Sequence, residues 1–175
     1  MDEKSVNIIV LNWNQKDLSL KCISSLKKTT YKNKNIIFID NGSDDGSIES
    51  VKSIHPDVEI IRSENNLGYA AGNNFGFCEI NRPSKYTIFL NNDTFVDPGF
   101  IEPLISELEN NSHTMQVVPK IFYAKDKNTI WYAGGRINLM FSLIWHNGIR
   151  SNKIEKYNHR KEVGYATGCC FCIRS

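Results

Sequence analysis

Asp93 stands in LNNDT, directly after the apolar run YTIFL. A carboxylate just beyond a buried strand, flanked by two amides and a threonine, can hold a divalent cation against a diphosphate. Its hard oxygens suit Mg2+ or Mn2+, ions that complete their shells with water and substrate phosphate. The same residues also make an ordinary turn, because Asn and Asp side chains hydrogen-bond nearby backbone. Taken alone, the motif leaves both readings open.

Asp40 opens a second cluster, DNGS. Its carboxylate could accept from a base N–H or a ribose hydroxyl, with the backbone of the following turn as further donors. It could equally begin a helix-opening turn in which Ser43, Asp44 and Asp45 cap the next helix, the simpler account of this motif by itself. A third cluster is the glycine-rich NNLGYAAGNNFG at 65–76. Gly68 and Gly72 permit close backbone approach, and the helix start that follows can face an anion. The stretch lacks both the Gly-Lys-Ser/Thr ending of a P-loop and the dinucleotide glycine spacing. Phe75, Phe77 and Ile80 read as core, while Asn73 and Asn74 suit either site or surface.

Other reactive side chains carry less. Cys169, Cys170 and Cys172 do not have four-ligand zinc spacing, and Cys22 and Cys78 fall inside predicted helices. In a strand Cys170 and Cys172 share one face, as small buried apolar groups would. The four histidines, His55, His113, His146 and His159, have no spaced partner, and no nucleophile–base pair is visible.

The elements that must position these residues alternate. Apolar β-branched runs at 6–11, 36–39, 58–62 and 86–90 predict strands, and helical spacing predicts helices at 17–28, 47–54, 69–80 and 101–110. Continuous apolar strands separated by helices of about ten residues predict a parallel sheet covered on both faces. Ligands bind such sheets beyond the carboxyl ends of the strands. NWNQ, DNGS, ENNLG and NNDT all fall at those ends. After Lys120 the rhythm shortens: 131–135, 136–140 and 141–145 read as short strands or a hairpin. The segment 153–161 is polar, and 163–173 is strand-like.

Composition narrows the function classes. The chain has 175 residues, 41% hydrophobic and 11% aromatic, too apolar for a disordered protein and long enough for one core. Lys and Arg number 21 against 19 Asp and Glu, so the net charge of +2 makes no case for nucleic-acid binding. Five cysteines is an odd count that argues against a disulfide scaffold. No apolar run reaches the ~20 residues of a membrane-spanning helix. With a strand starting so early, no secretory leader is expected. A cytoplasmic globular domain is the resulting expectation.

The blocks IIVLNWNQ, IIFIDNGSDDGS, ENNLGYAAGNNFG, YTIFLNNDTFVDPGF, VVPKIFY, WYAGGRIN and YATGCCFCIR together resemble family 2 glycosyltransferases of the GT-A fold, especially the rhamnosyltransferase-like branch. They cover about 6–174, in that family's order. The resemblance implies an α/β, Rossmann-like, mostly parallel sheet with helices on both faces and a short β-rich C-terminal segment. It implies one domain over 1–175, with a nucleotide-sugar-binding half at 1–118 and a β-rich continuation at 119–175.

The resemblance also implies roles. Asn12, Trp13 and Asn14 would line the nucleotide pocket, Asp40 and Asn41 would meet the base or ribose, and Gly68, Asn73 and Asn74 would lie near the phosphates. Asn91, Asn92 and Asp93 fall where that family has Asp-x-Asp. Asp93 would be the metal ligand for Mg2+ or Mn2+, with the two asparagines near sugar or ribose. The implied reaction moves a sugar, with rhamnose as one candidate, from a dTDP- or UDP-linked donor to a glycan or lipid-linked acceptor, with inversion. Such a role in cell-wall or polysaccharide synthesis would place the parent protein at the inner membrane face, as a peripheral protein.

Relatives carry the general base in an acidic motif downstream of the block matched by YATGCCFCIR. The expectation is therefore a donor-binding part whose base lies beyond Ser175 and which transfers sugar slowly or not at all. Asp126, Glu155 and Glu162 fall in polar loops and are poor substitutes. Two other classes remain. A sugar nucleotidyltransferase should carry a basic, glycine-rich loop after the first strand, which NWNQKD is not. A non-catalytic nucleotide-sugar-binding module would keep the fold without the base.

Overall fold

Because Val, Ile and Phe dominate the runs around 6–12, 34–40 and 86–91, these segments can only be satisfied where both of their faces are covered. The computed structural model describes residues 4–175 and does cover them. The first half alternates β1 (Val6–Asn12), α1 (Lys16–Lys27), β2 (Lys34–Asp40), α2 (Ser47–Ile54), β3 (Glu59–Arg62), α3 (Gly68–Glu79), β4 (Tyr86–Asn91) and α4 (Ile101–Asn110). The second half adds β5 (Gln116–Val117), β6 (Ile121–Tyr123), β7 (Asp126–Tyr132), β8 (Gly135–Asn138), β9 (Leu143–His146) and β10 (Cys170–Arg174). A 3-10 turn spans Ile154–Tyr157.

The main sheet has the order β3-β2-β1-β4-β10-β5. β1 lies parallel to both β2 and β4, and β2 parallel to β3. The register pairs Asn12 with Asp40 and Leu11 with Asn91, so the three polar strand ends lie side by side.

Strand alternation sorts the core into two layers. Val6, Ile8 and Val10 of β1, Phe38 of β2 and Ile88 of β4 join Cys22, Ile23 and Leu26 of α1, Val51 of α2 and Leu104 of α4. Ile9, Ile37, Ile39 and Phe89 face the other way, toward Leu11, Ile61, Ile80 and Phe171. Only α3 among the helices covers this second face, and it does so through glycine. A Cβ on Gly76 would fall 2.5 Å from Ile39 Cδ1, and one on Gly72 would fall 3.0 Å from Leu11 Cδ1. The closeness allowed by these glycines is helix against sheet. Phe75 is half-buried and Ile80 packs on the second layer, but Phe77, expected in the core, is 38% exposed with its ring 6.1 Å from that of Phe89.

The last strand differs from expectation in extent and direction. Of the strand-like 163–173, only Cys170–Arg174 is strand, and it runs antiparallel to β4. Gly164 and Gly168 weaken the first part, which is diverted toward Gly135: the Gly164 N–H donates to Gly135 O at 2.8 Å, and a Cβ on Gly135 would strike the Tyr165 ring. Cys170 and Cys172 do share one buried face. The expected hairpin exists as β8 and β9, paired Gly135 with His146 and Asn138 with Leu143. The backbone bends sharply just before it, at Gly134 with φ of +100°.

Burial pushes the Cys172 thiol up to about 12, and raises Cys170 well above the ordinary range of a thiol. The unfolded chain releases these protons near the ordinary value of 9.0, so the folded state holds them longer. Their stabilising effect is complete below pH 9 and is lost as pH rises toward 12, at up to ~1.4 kcal/mol per pH unit for each thiol. Urea unfolding followed between pH 8 and 11 should show stability falling with pH. Cys172→Ala should flatten that slope by about one proton's worth, and an unchanged slope would refute the assignment.

Candidate active site

Where β1, β2 and β4 end, a buried set of polar side chains ties the strands together. Asn12 is its centre. Its amide nitrogen donates to Asp40 Oδ1 at 3.1 Å and to Ser43 Oγ at 3.0 Å. Its amide oxygen accepts from Ser19 Oγ at 2.8 Å, Asn92 Nδ2 at 3.1 Å and the Gln15 N–H at 3.2 Å. Asn92 also donates to Ser19 at 3.0 Å, and the Ser43 N–H donates to Asp40 Oδ2 at 3.0 Å. A buried carboxylate costs several kcal/mol unless paired and hydrogen-bonded, and these donors supply the partners. The exposed Arg62 adds a charge 3.9 Å away, outside hydrogen-bond reach.

Asn14, in the left-handed region at φ of 51°, takes the Asp44 N–H on its side-chain oxygen at 2.9 Å and donates its own N–H to Ser43 at 3.0 Å. Asp45 accepts from the Lys16 and Ser47 N–H groups and so joins the starts of α1 and α2. The N-cap of α2 is Gly46 rather than one of the expected side chains, and Asp45, one residue earlier, takes up the first N–H of the helix from outside it. Burial would raise its pKa, but the bonds from Ser47 and Lys16 outweigh that and hold it below the ordinary value. Asn41 organises the next loop, donating to Asn66 Oδ1 at 2.9 Å and to Gly68 O at 3.2 Å, and accepting from Ser63 and the Leu67 N–H. Gly42, at φ of +76°, lets this turn rest on the loop; a Cβ there would lie 2.7 Å from the Asn65 carbonyl carbon.

The expected site residues thus divide. Asn12, Asp40, Asn41 and Asn92 are buried and bonded inward, and Asn73 donates to Tyr69 O within its own helix. Asn14 is clamped to the 43–44 turn. Trp13 is 53% exposed, Asn74 and Gly68 are exposed, and Asn91 is half-buried with its N–H on Cys169 O. Asp93 is exposed. Sequence reasoning missed Ser19, and it gave Ser43 a capping role rather than its bonds to Asn12 and Asn14. Ser19 had a signal: it shares the apolar face of α1 with Cys22, Ile23 and Leu26, where a hydroxyl needs a partner. Also missed was Tyr69, whose hydroxyl donates to Gly168 O and links the start of α3 to the approach of β10.

Among the described residues no group of three His, Cys, Asp or Glu could hold a metal ion. Burial pushes Cys22 up to about 12 and Cys169 to about 11, with the Asp93 charge adding to both. These thiols stay protonated at neutral pH. An exposed carboxylate at a strand end fits a Mg2+ or Mn2+ ion that takes one protein ligand and completes its shell with water and diphosphate. One cavity, of about 350 Å³, lies at the opposite end of β2, against Lys34, Asn35 and Arg82. Another, of about 850 Å³, lies between 113–120 and 157–166. The side-by-side polar ends of β1, β2 and β4, rather than either volume, make up the candidate site.

Residues 7–175 match the sequence profile described as Glycosyl transferase family 2. The chain belongs to that family. An uncharacterized glycosyltransferase of Haemophilus influenzae is 31% identical over 111 residues, covering 62% of this chain and 34% of the relative. A cholesterol galactosyltransferase of Borreliella burgdorferi is 25% identical over 186 residues, covering 90% of this chain and 51% of the relative. The family 2 chain described here therefore spans about a third of the length of the first of these relatives and about half of the second. Among solved structures, the mannosyltransferase PcManGT from Pyrobaculum calidifontis, in complex with GDP-Man and Mn2+, superposes with a TM-score of 0.62 at 16% identity, over 71% of this chain and 37% of that one. Staphylococcus aureus TarS 1-349 with UDP-GlcNAc gives 0.59 at 15%, over 67% and 34%. These likenesses bear on fold, which is the mixed, mostly parallel α/β arrangement of GT-A glycosyltransferases.

Two substitutions separate framework from working surface. Asn12→Ala should cost about 3 kcal/mol in urea unfolding, since it leaves several buried polar groups without partners. Asp93→Ala should change stability by no more than about 0.5 kcal/mol. Gly42→Ala should cost at least about 2 kcal/mol, combining a left-handed backbone with a backbone clash. If Asn12→Ala proves neutral, the network is not what holds the edge.

Proposed function

We propose that this chain binds a nucleoside diphosphate sugar across the carboxyl edge of β1, β2 and β4, as the donor-binding part of an inverting glycosyltransferase. The observation that carries the reading is the division of the edge: a saturated buried framework beneath, with exposed Asp93 and Trp13 above it. The base would stack on Trp13, whose ring is free to offer a π-face. The Leu67 and Gly68 N–H groups are taken by Asn41 and Asn66, so the N–H groups next along the first turn of α3 would face phosphate oxygens. Asp93 would hold Mg2+ or Mn2+, which when bound supplies Lewis-acid stabilisation of the departing diphosphate.

In the proposed reaction an acceptor hydroxyl oxygen bonds to the anomeric carbon while the bond from that carbon to the diphosphate oxygen breaks. The hydroxyl proton passes to a carboxylate base. Asp126 accepts from Asn128 and Thr129 and Glu155 accepts from Asn158, while Glu162 is exposed; the base is proposed to come from none of them but from chain beyond Ser175. Residues 1–118 then serve as the donor half and 119–175 as its β-rich continuation. The order of the motifs supports the rhamnosyltransferase-like branch, a dTDP- or UDP-linked donor and a glycan or lipid-linked acceptor in cell-wall or polysaccharide synthesis. The relatives with GDP-Man and UDP-GlcNAc support a nucleotide-sugar donor of this general kind. Among the described residues no helix is long and apolar enough to cross a membrane, and a peripheral position at the cytoplasmic membrane face is proposed for the whole protein.

Thermal unfolding with UDP, dTDP or GDP, with and without Mn2+, tests the donor site. A hundredfold excess over Kd should add ~2.7 kcal/mol of apparent stability. The Mn2+-dependent part should vanish in Asp93→Ala. Stabilisation by none of the nucleotides, or an equal Mn2+ response in the variant, would defeat the reading.

A further inference from the structure

The β8–β9 hairpin reads RINLMFSLIWH over residues 136–146. Its two strands form a sheet of their own, tied to the body only at the base, where Gly135 bridges Tyr165; among the described residues nothing pairs with the hairpin beyond that point. At the tip, Leu139, Met140 and Phe141 are 87%, 85% and 67% exposed. Leu143, Ile144 and Trp145 follow in one strand, so they point alternately to opposite faces. All three are exposed. A hairpin lying on the protein body would bury one of its faces. A protein docking on one face would leave the other in water, whereas a medium that surrounds the tip covers both.

Charge points the same way. The net charge of +2 hides a segregation: residues 119–163 hold nine Lys and Arg against three Asp and Glu, and the remainder holds twelve against sixteen. The segment bearing the hairpin is thus +6 and the rest −4. Arg136, Arg150 and Lys153, at and just beyond the base of the hairpin, are exposed and have no ion pair among the described residues. Arg136 and Trp145 are register partners, two residues and roughly 7 Å below the strand ends. An amphipathic indole and a guanidinium at one level, beneath an apolar tip, match the headgroup region of a bilayer.

We infer that the β8–β9 hairpin docks on an anionic lipid surface, its tip entering the headgroup–acyl boundary while the basic segment meets lipid phosphates. This deepens the lipid-linked acceptor reading, on which it rests only for its purpose; the docking stands on the hairpin itself. Flotation of the chain with vesicles of phosphatidylcholine alone, or phosphatidylcholine mixed with phosphatidylglycerol, provides the test. Binding should require the anionic lipid, weaken with salt, and fall by about tenfold or more when Leu139, Met140 and Phe141 are all changed to Ser. Trp145 emission should shift to the blue on binding, and Trp145→Phe should remove that shift.

Equal binding by the tip variant, or no vesicle binding, overturns the inference. So does a dimer that the tip variant abolishes without any lipid binding, since a second copy would then cover the tip. The nucleotide response is read separately, without vesicles, and should survive the tip changes. Vesicle binding without nucleotide binding would sink only the donor reading, and the converse would sink only this one.

Discussion

Parallel strands end together, and whatever polar groups they carry there must be satisfied at a spacing of about 5 Å. Asn12 meets that constraint for three strands and a helix at once. Its amide joins the Asp40 carboxylate on β2, Asn92 beyond β4 and Ser19 on α1, and both ends of the amide are used in full. Because a half-satisfied buried network is worse than an apolar one, the arrangement is close to all-or-none. The turn after β2, the start of α1 and the turn after β4 are fixed as one rigid unit.

That unit explains how so many polar residues can crowd one edge without competing for a ligand. Those bonded inward set the shape, and those left over face outward with few alternatives. Cover on the second sheet face follows a similar economy. α3 fully buries only Gly72, Asn73 and Gly76, and these two glycines bring its backbone down onto Leu11 and Ile39, so the helix start sits close to the strand ends. Bulkier residues at these positions would lift that start away from the edge.

Alternation of apolar runs and helical spacing made β1 to α4 legible, because each run there is long enough to show its period. The carboxyl-edge clusters were legible for the same reason. Which asparagine faces inward was not: Asn91 and Asn92 have the same chemistry, and only the turn after β4 decides that Asn92 reaches Ser19. Ser19 was hidden inside a helical pattern that its own spacing supports. β10 was overextended because VGYATGCCFCI is apolar throughout, and the diversion at Gly164 depends on a contact with Gly135, distant in sequence. The segregation of charge was readable from the start but vanished into a net value.

The direction of β10 has a topological consequence. Its first residue lies beside Leu90, at the carboxyl edge of the parallel strands, and its last beside Tyr86, where the Ser175 N–H donates to Lys85 O. The polypeptide therefore leaves the sheet at the amino ends of the parallel strands. There Arg174 donates to the carbonyls of Leu108 and Asn111, so this one strand fastens the end of α4 to the side of the sheet remote from the polar edge.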